Sequence, residues 1–488
     1  MKTILPLLLL TLWSTIGLAQ ERWSLEKCIQ YARQNNLDLK QAALNVKSAR
    51  LTQKGNQWSR LPDLNATVTG GIQFGRTINP VTNSFENVNA GYNTVNLTAG
   101  MVLYNGSAIT NSIEQSKLDV AAAQADAAQS ADNISLNVAL AYLNVLFNED
   151  QMANAESRRS LTQSQLEQTT KLIRAGTRPE SDRLDIEAQL AQDEQALVNR
   201  QNDVTISYLN LKQLLQLAPD YELRIVRPEV EVPADISPNN FSLSAVYNQA
   251  LGSQPSIQAG ELRMKSAELG VKIARANKLP ILTAFASTST NFSSQVPDPN
   301  DIITPGEQFL TPPIPAVFEG QDGSGMVVVN EGSVQFLNET APEFGKRAYF
   351  DQFNDNFGQQ VGLRLNIPIY NNGQADLAMQ RAEVNKLSTE LNNRQIQQQL
   401  KQDIQRAIAD ARAAKKALDA AQKSVDALQL SYENTEKRFK VGAVNTFEFT
   451  TAKNNLDQAQ INLIVAKYDY LFRLKVVDFY EGKKITLD

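Results

Sequence analysis

Histidine, the side chain that most often serves as a general base or a metal ligand, does not occur among the 488 residues. The one cysteine, Cys28, allows neither a disulfide framework nor a thiolate cluster within one chain, and a buried, inert thiol is expected. There is no Walker loop, no Ser/His/Asp set and no dinucleotide fingerprint, and Gly323-Ser324-Gly325 reads as a loop fragment. Carboxylates are plentiful, but they fall on solvated helical faces rather than as an acid/base pair in a pocket. The expectation is therefore no catalytic residue, no cofactor and no metal site. A net charge of −5, without any Lys/Arg-rich run carrying aromatics, argues against a nucleic-acid partner.

The carboxylates that stand out do so by position. Gly176 and Gly442 each close a long Gly- and Pro-free stretch, where a helix commonly ends in a left-handed residue. Just beyond them, Asp182 falls in the first turn of the next helix and Glu448 three residues after Asn445, a capping-box spacing. Thr177 to Glu180 carries a similar capping pattern with an early proline, Pro179.

The elements that must hold these turns are unusually long. Gln374 to Lys440 runs about 67 residues without a helix breaker, and Ser107 to Ala175 is nearly the same. One continuous helix of that length reaches roughly 100 Å, too long for the inside of an ordinary globule. Leu418, Ala421, Val425, Leu428, Tyr432 and Phe439, spaced three and four apart, form a seam that demands a partner helix. A descending helix from the Gly176 turn is expected to end near Leu217.

With 42% hydrophobic residues the chain has material for two or three ordinary domains. Residues 1–19 read as a secretory signal peptide: Lys2, an apolar run from Ile4 to Leu18, and small residues at Gly17 and Ala19. No later run approaches the roughly 20 apolar residues of a spanning helix, and no lipobox cysteine follows the cut. Helices are expected over Ser24 to Arg33 and Leu37 to Arg60. Leu64, Ala66, Val68, Gly70, Ile72 and Phe74 then alternate with polar or small residues, as do Val95, Leu97, Ala99, Met101 and Leu103, marking two strands with one apolar face each. At about 10 to 12 residues they suffice to cross a bilayer at a tilt.

The pattern then starts again. Ser242-Leu243 answers Ser24-Leu25 and Leu279-Pro280 answers Leu61-Pro62 at an offset of about 218, while Gly442 answers Gly176 at about 266. Ile281 to Phe292 and Phe357 to Ile369 supply the third and fourth strands. The difference in offset locates an insertion of about 48 residues between them, within 293–356, where seven of the 18 prolines argue for a long loop without helix or central strand. The chain thus divides into a first structural repeat at 20–218, a linker or equatorial segment at 219–240, a second repeat at 241–475 and an equatorial C-terminal tail at 476–488.

Four amphipathic strands cannot close a membrane barrel, since the smallest use about eight, and an open edge in lipid leaves backbone groups unpaired at several kcal/mol each. Either several copies pool their strands, or the strands form a soluble sheet in a periplasmic or surface coiled-coil structural protein. Tyr104 and Tyr370 sit at corresponding strand ends, where interfacial aromatics would fall. Parity puts every helix on the periplasmic side, with 76–90 and the 293–356 loop facing outward.

The duplicated helix–strand–strand–helix plan resembles the TolC-type outer-membrane efflux proteins, as do Pro368-Ile369-Tyr370-Asn371-Asn372-Gly373 and Arg438-Phe439-Lys440-Val441-Gly442. The resemblance covers essentially the whole mature chain. It implies a membrane β-barrel of twelve strands, completed by a homotrimer and continued by an α-helical coiled-coil barrel in the periplasm. It also implies partners: outer-membrane lipid, a periplasmic adaptor (membrane fusion) protein and an inner-membrane pump. The implied function is a passive duct for efflux or type I secretion, closed by an iris-like gate at the periplasmic tip. Carried over by position from Gly176 and Gly442, the gate acids are Asp182, Asp185 and Glu448. The chain departs from that pattern at Thr451 in place of a second tip aspartate, at Phe439 in place of a tyrosine and at Val444 in place of an arginine, the last of which Arg178 would compensate, with Phe447 and Phe449 forming a hydrophobic constriction.

Overall fold

A computed structural model describes residues 22–78, 85–87, 89–228, 241–304, 308–310, 317–319, 326–328, 337–339 and 343–483. The expected signal peptide, most of the linker, much of the 293–356 loop (Gly323-Ser324-Gly325 included) and the last five residues lie outside them. The duplication is visible in element lengths. Helices Leu25–Asn35 and Leu37–Trp58 have 11 and 22 residues, and so do Leu243–Ser253 and Pro255–Ala276. Helices Ala108–Arg174 and Gln374–Lys440 have 67 residues each, followed by Glu180–Leu215 with 36 and Thr446–Tyr480 with 35.

The chain folds into two compact units, and each repeat contributes to both. The first unit, 1–56, 110–274 and 377–488, is mainly helical over its described residues. It has two matching apolar cores. In one, Leu25, Cys28 and Ala32 pack with Val138, Tyr142, Leu146, Leu211 and Leu215; in the other, Val246, Ala250 and Ile257 pack with Leu400, Ile404, Ile408 and Val477. Burial pushes the Cys28 thiol up to about 12, helped by the Glu26 charge, so it stays protonated as expected of an inert thiol.

The start of the expected linker or equatorial segment is held in place at Arg224 and Val226: Trp23 N–H donates to Arg224 O at 2.8 Å, Val226 N–H donates back to Trp23 O at 2.9 Å, and the Tyr142 hydroxyl reaches Trp23 O at 3.2 Å. The helix expected to give way to a tail at 476 continues to Tyr480, because Val477 is needed in the second core.

The second unit, 57–109 and 275–376, is built on one antiparallel sheet. Its strands, in spatial order, are Asp63–Gln73, Ala90–Tyr104, Ile281–Ser293 and Gly358–Asn366. Register aligns the alternation across all four: Ala66 faces Leu97 and Val361 faces Ala286, while Leu97 faces Thr288 and Ala99 faces Ala286. One face therefore collects Leu64, Val68, Val95, Leu97, Leu363 and Leu365, and the other collects threonine, asparagine, serine and glutamine. Neither outer strand is covered, with Leu64 at 68% and Val361 at 84% exposure. Each outer strand is paired on one side only among the described residues.

The fourth strand stops at Asn366, short of the expected Ile369, because Pro368 has no N–H for the ladder. Tyr370, 82% exposed, therefore lies beyond the strand end, unlike Tyr104, which is the last residue of its strand. The expected long loop holds more order than its prolines suggested. Pro297–Thr304 pairs with Glu343–Lys346, and a helix spans Tyr349–Asp355 in the proline-free stretch after Pro342. Gln352 pins that helix to the third strand: its side chain accepts from Ser293 N–H and donates to Ser293 O, both at 3.0 Å.

Candidate functional site at two helical turns

Both turns close in the same way. Gly176 and Gly442 take φ of +72° and +74°, a conformation that disfavours a side chain, and open space surrounds each. Gly176 N–H reaches Ile173 O at 2.9 Å and Thr177 N–H reaches Leu172 O at 3.0 Å; Gly442 N–H and Ala443 N–H repeat the pattern on Phe439 O and Arg438 O at 3.0 and 2.9 Å. The capping box expected at Thr177 does not form. Its hydroxyl donates backwards to Leu172 O at 2.8 Å, and Pro179 is the N-cap without a side-chain bond. The second turn does cap as expected, with Asn445 Oδ1 accepting from Glu448 N–H at 2.8 Å.

Arg178 joins the two turns. Its guanidinium pairs with Asp182 at 3.2 Å, donates to Phe439 O at 3.3 Å and lies 4.2 Å from the Phe439 ring centre. Phe439 stacks on Phe449 at 4.5 Å, and Tyr432 adjoins Phe449 at 5.8 Å. A planar cation over a π face with a second bond from its edge is an arrangement lysine cannot copy. Val444, two residues after Gly442, is buried.

The expected site residues thus separate into two groups. Arg178, Asp182 and Phe449 pack the turns together, and Phe449 is 4% exposed. Phe447 is 79% exposed, Asp185 is exposed and forms no ion pair among the described residues, and Glu448 meets Arg438 only at 3.5 Å with both side chains half exposed. An exposed pair of that kind holds its charges weakly.

The family described as "Outer membrane efflux protein" matches residues 28–216 and 337–475. The chain belongs to this family. It is 23% identical over 246 residues to "Outer membrane protein TolC" of Escherichia coli strain K12, covering 49% of this chain and 50% of that protein, so the chain spans about half the length of the curated relatives it matches. Among solved structures, the outer membrane protein VceC of Vibrio cholerae shares the fold at a TM-score of 0.69 and 15% identity, over 94% of this chain and 96% of that one. The Campylobacter jejuni CmeC outer membrane channel does so at 0.70 and 17%, over 94% and 85%. Membership sets the outer membrane as the location of this efflux-family chain, with its helical part periplasmic.

Behind the turns lies a cluster that the sequence reading missed. Arg158 pairs with Asp193 and with Asp457, each at 3.0 Å; Lys453 donates to the Thr162 hydroxyl at 2.6 Å, which bonds Asp193 at 2.5 Å. Arg158 Nε and Asp457 Oδ2 approach as charges but are out of hydrogen-bond alignment. The group joins helices Ala108–Arg174, Glu180–Leu215 and Thr446–Tyr480. The signal was present: Asp193 falls seven residues after the buried Ile186, and Lys453 lies between the buried Phe449 and Leu456 at helical spacing. Charges on an apolar seam are either paired or functional.

Proposed function

We propose that this efflux-family chain is the outer-membrane channel of a tripartite efflux or type I secretion system. It conducts substrates passively from a periplasmic adaptor and inner-membrane pump to the outside and carries out no chemistry of its own. The observation that carries this reading is the four-stranded sheet, with one continuous apolar face, one polar face and two open edges. In lipid those edges are tolerable only if further copies complete the wall, and three copies supply twelve strands with room for a pore. The apolar face then meets lipid, the threonine- and asparagine-rich face lines the lumen, and Tyr104 and Tyr370 mark the interface. The glycine turns form the periplasmic tip, where Asp185, Glu448 and Phe447 face the constriction and the Arg178–Asp182 pair clamps the two turns. The test is purification in detergent, electrophoresis with and without heating, and current recording in planar bilayers. A heat-sensitive trimer with discrete conductance is expected; a monomer soluble without detergent overturns the reading.

A further inference from the structure

The four strands contain only two charged residues, Asp63 and Arg364. They are opposite in sign and lie on the two outer strands, whose far sides are open. They also share a face. The rung Asp63–Gly100–Phe285–Gly362 crosses the sheet, and Arg364 stands two residues further along the last strand, so both project with the polar residues at the same end. Within one copy they cannot meet, being three strand spacings, about 14 Å, apart.

Neither charge has an opposite partner among the described residues. Asp63 accepts one bond from Asn65 Nδ2 at 2.8 Å. Arg364 rests over the Phe285 ring, 5.3 Å from its centre, and that ring occupies the space a side chain at position 362 would need. The glycine and the ring therefore hold the guanidinium on the polar face beside the open edge.

We propose that Asp63 of one copy and Arg364 of the next pair across the seam between their sheets, and that this contact sets the register in which copies join. The inference rests on the barrel reading above. The outer strands run in opposite directions, so two copies meet antiparallel. Keeping Leu64 on the same face as Leu363 and Leu365 restricts the residue opposite Asp63 to an even number, and at the strand end where Asp63 stands these are Gly362, Arg364 and Asn366. Of these, only Arg364 places the two charges directly opposite.

Disulfide scanning resolves the three registers. Directly opposed residues have Cα atoms roughly 4.5–5.5 Å apart, within disulfide reach. A shift of two residues adds about 6.8 Å along the strand and carries the pair beyond the roughly 7 Å limit. Cysteine pairs at 63/362, 63/364 and 63/366 are introduced into the full-length chain carrying Cys28→Ala, expressed in membranes and oxidised. A covalent ladder from 63/364 alone is expected. A ladder from another pair overturns the register while leaving the barrel standing, and no ladder with a monomeric protein removes the barrel as well. Charge exchange is the second measurement. D63R and R364D should each lose the trimer band seen without heating, and the double exchange should restore it; a double variant no better than the singles overturns the pairing.

Discussion

Lys453 and Asp193 face each other across two helices at 3.8 Å, with 2% and 1% of their side chains exposed. Neither charge reaches water, so each depends on the other, on Thr162 and on Arg158. Removing one member of such a buried group leaves its partner uncompensated, at about 3–5 kcal/mol. Lys453→Met should lie near the lower figure, because Arg158 still holds Asp193. Helical circular dichroism on heating in detergent should show a clear loss of stability, with Asp193→Asn similarly affected. A Lys453→Met protein as stable as the parent would show that water reaches the cluster.

The same group should give stability an unusual pH dependence. Burial raises the Asp457 carboxyl above its ordinary 3.8, against the pull of Lys453 and Arg158. The native state then holds that proton more tightly than the unfolded one, so the contribution is complete below 3.8 and is lost as pH rises through the folded value. Burial lowers the Lys453 ammonium below its ordinary 10.5, although Asp457 and Asp193 oppose the shift. Its contribution is present above 10.5 and is lost as pH falls through the folded value. Asp457→Asn carries a neutral side chain at every pH, so unfolding midpoints followed across the acid range should show the parent losing stability relative to it as pH rises from 3.8. A parent that gains on the variant instead would mean that the ion pairs outweigh burial.

Two phenylalanines, two residues apart, should behave differently. Phe449 is enclosed by Phe439 and Tyr432, so Phe449→Ala should cost about 3 kcal/mol and loosen the turn, seen as faster proteolysis near Gly442. Phe447 is mostly exposed in the single chain, and Phe447→Ala should change stability by less than about 0.5 kcal/mol. If Phe447 lines the constriction, its removal should instead raise single-channel conductance. Equal effects of the two substitutions on stability would contradict their placement.

Much of this was legible in the residues because the signals were periodic or conformational. The uninterrupted run from Gln374 to Lys440 is one helix, and Gly442 ends it as its type required. Alternation placed the four strands to within a few residues, except where Pro368 cut the last one short. What stayed hidden depends on contacts between distant segments. Nothing local in Arg178 says that it will bond Phe439 O, 261 residues away. The prolines of the insertion all precede Glu343, so they do not oppose the helix Tyr349–Asp355 that follows. The Thr177 capping pattern failed for a local reason: its hydroxyl closes the helix behind it.

The three carboxylates proposed for the gate should therefore separate into two kinds. Asp182 is neutralised by Arg178 at 3.2 Å, with both side chains 14% exposed, so Asp182→Asn should act on the clamp, freeing Arg178 and favouring an open tip. Asp185 and Glu448 are exposed and at most weakly paired. In the trimer proposed above they would form a ring of like charge, which would attract cations and be screened by salt within roughly 10 Å at 0.1 M. Asp185→Asn with Glu448→Gln should relieve divalent-cation block of the bilayer current severalfold at low salt, and the difference should fade as salt rises. Asp182→Asn should raise the unblocked current with much less change in block. If all three substitutions weaken block equally, Asp182 belongs to the charged ring, and the Arg178 contact gives way when copies assemble.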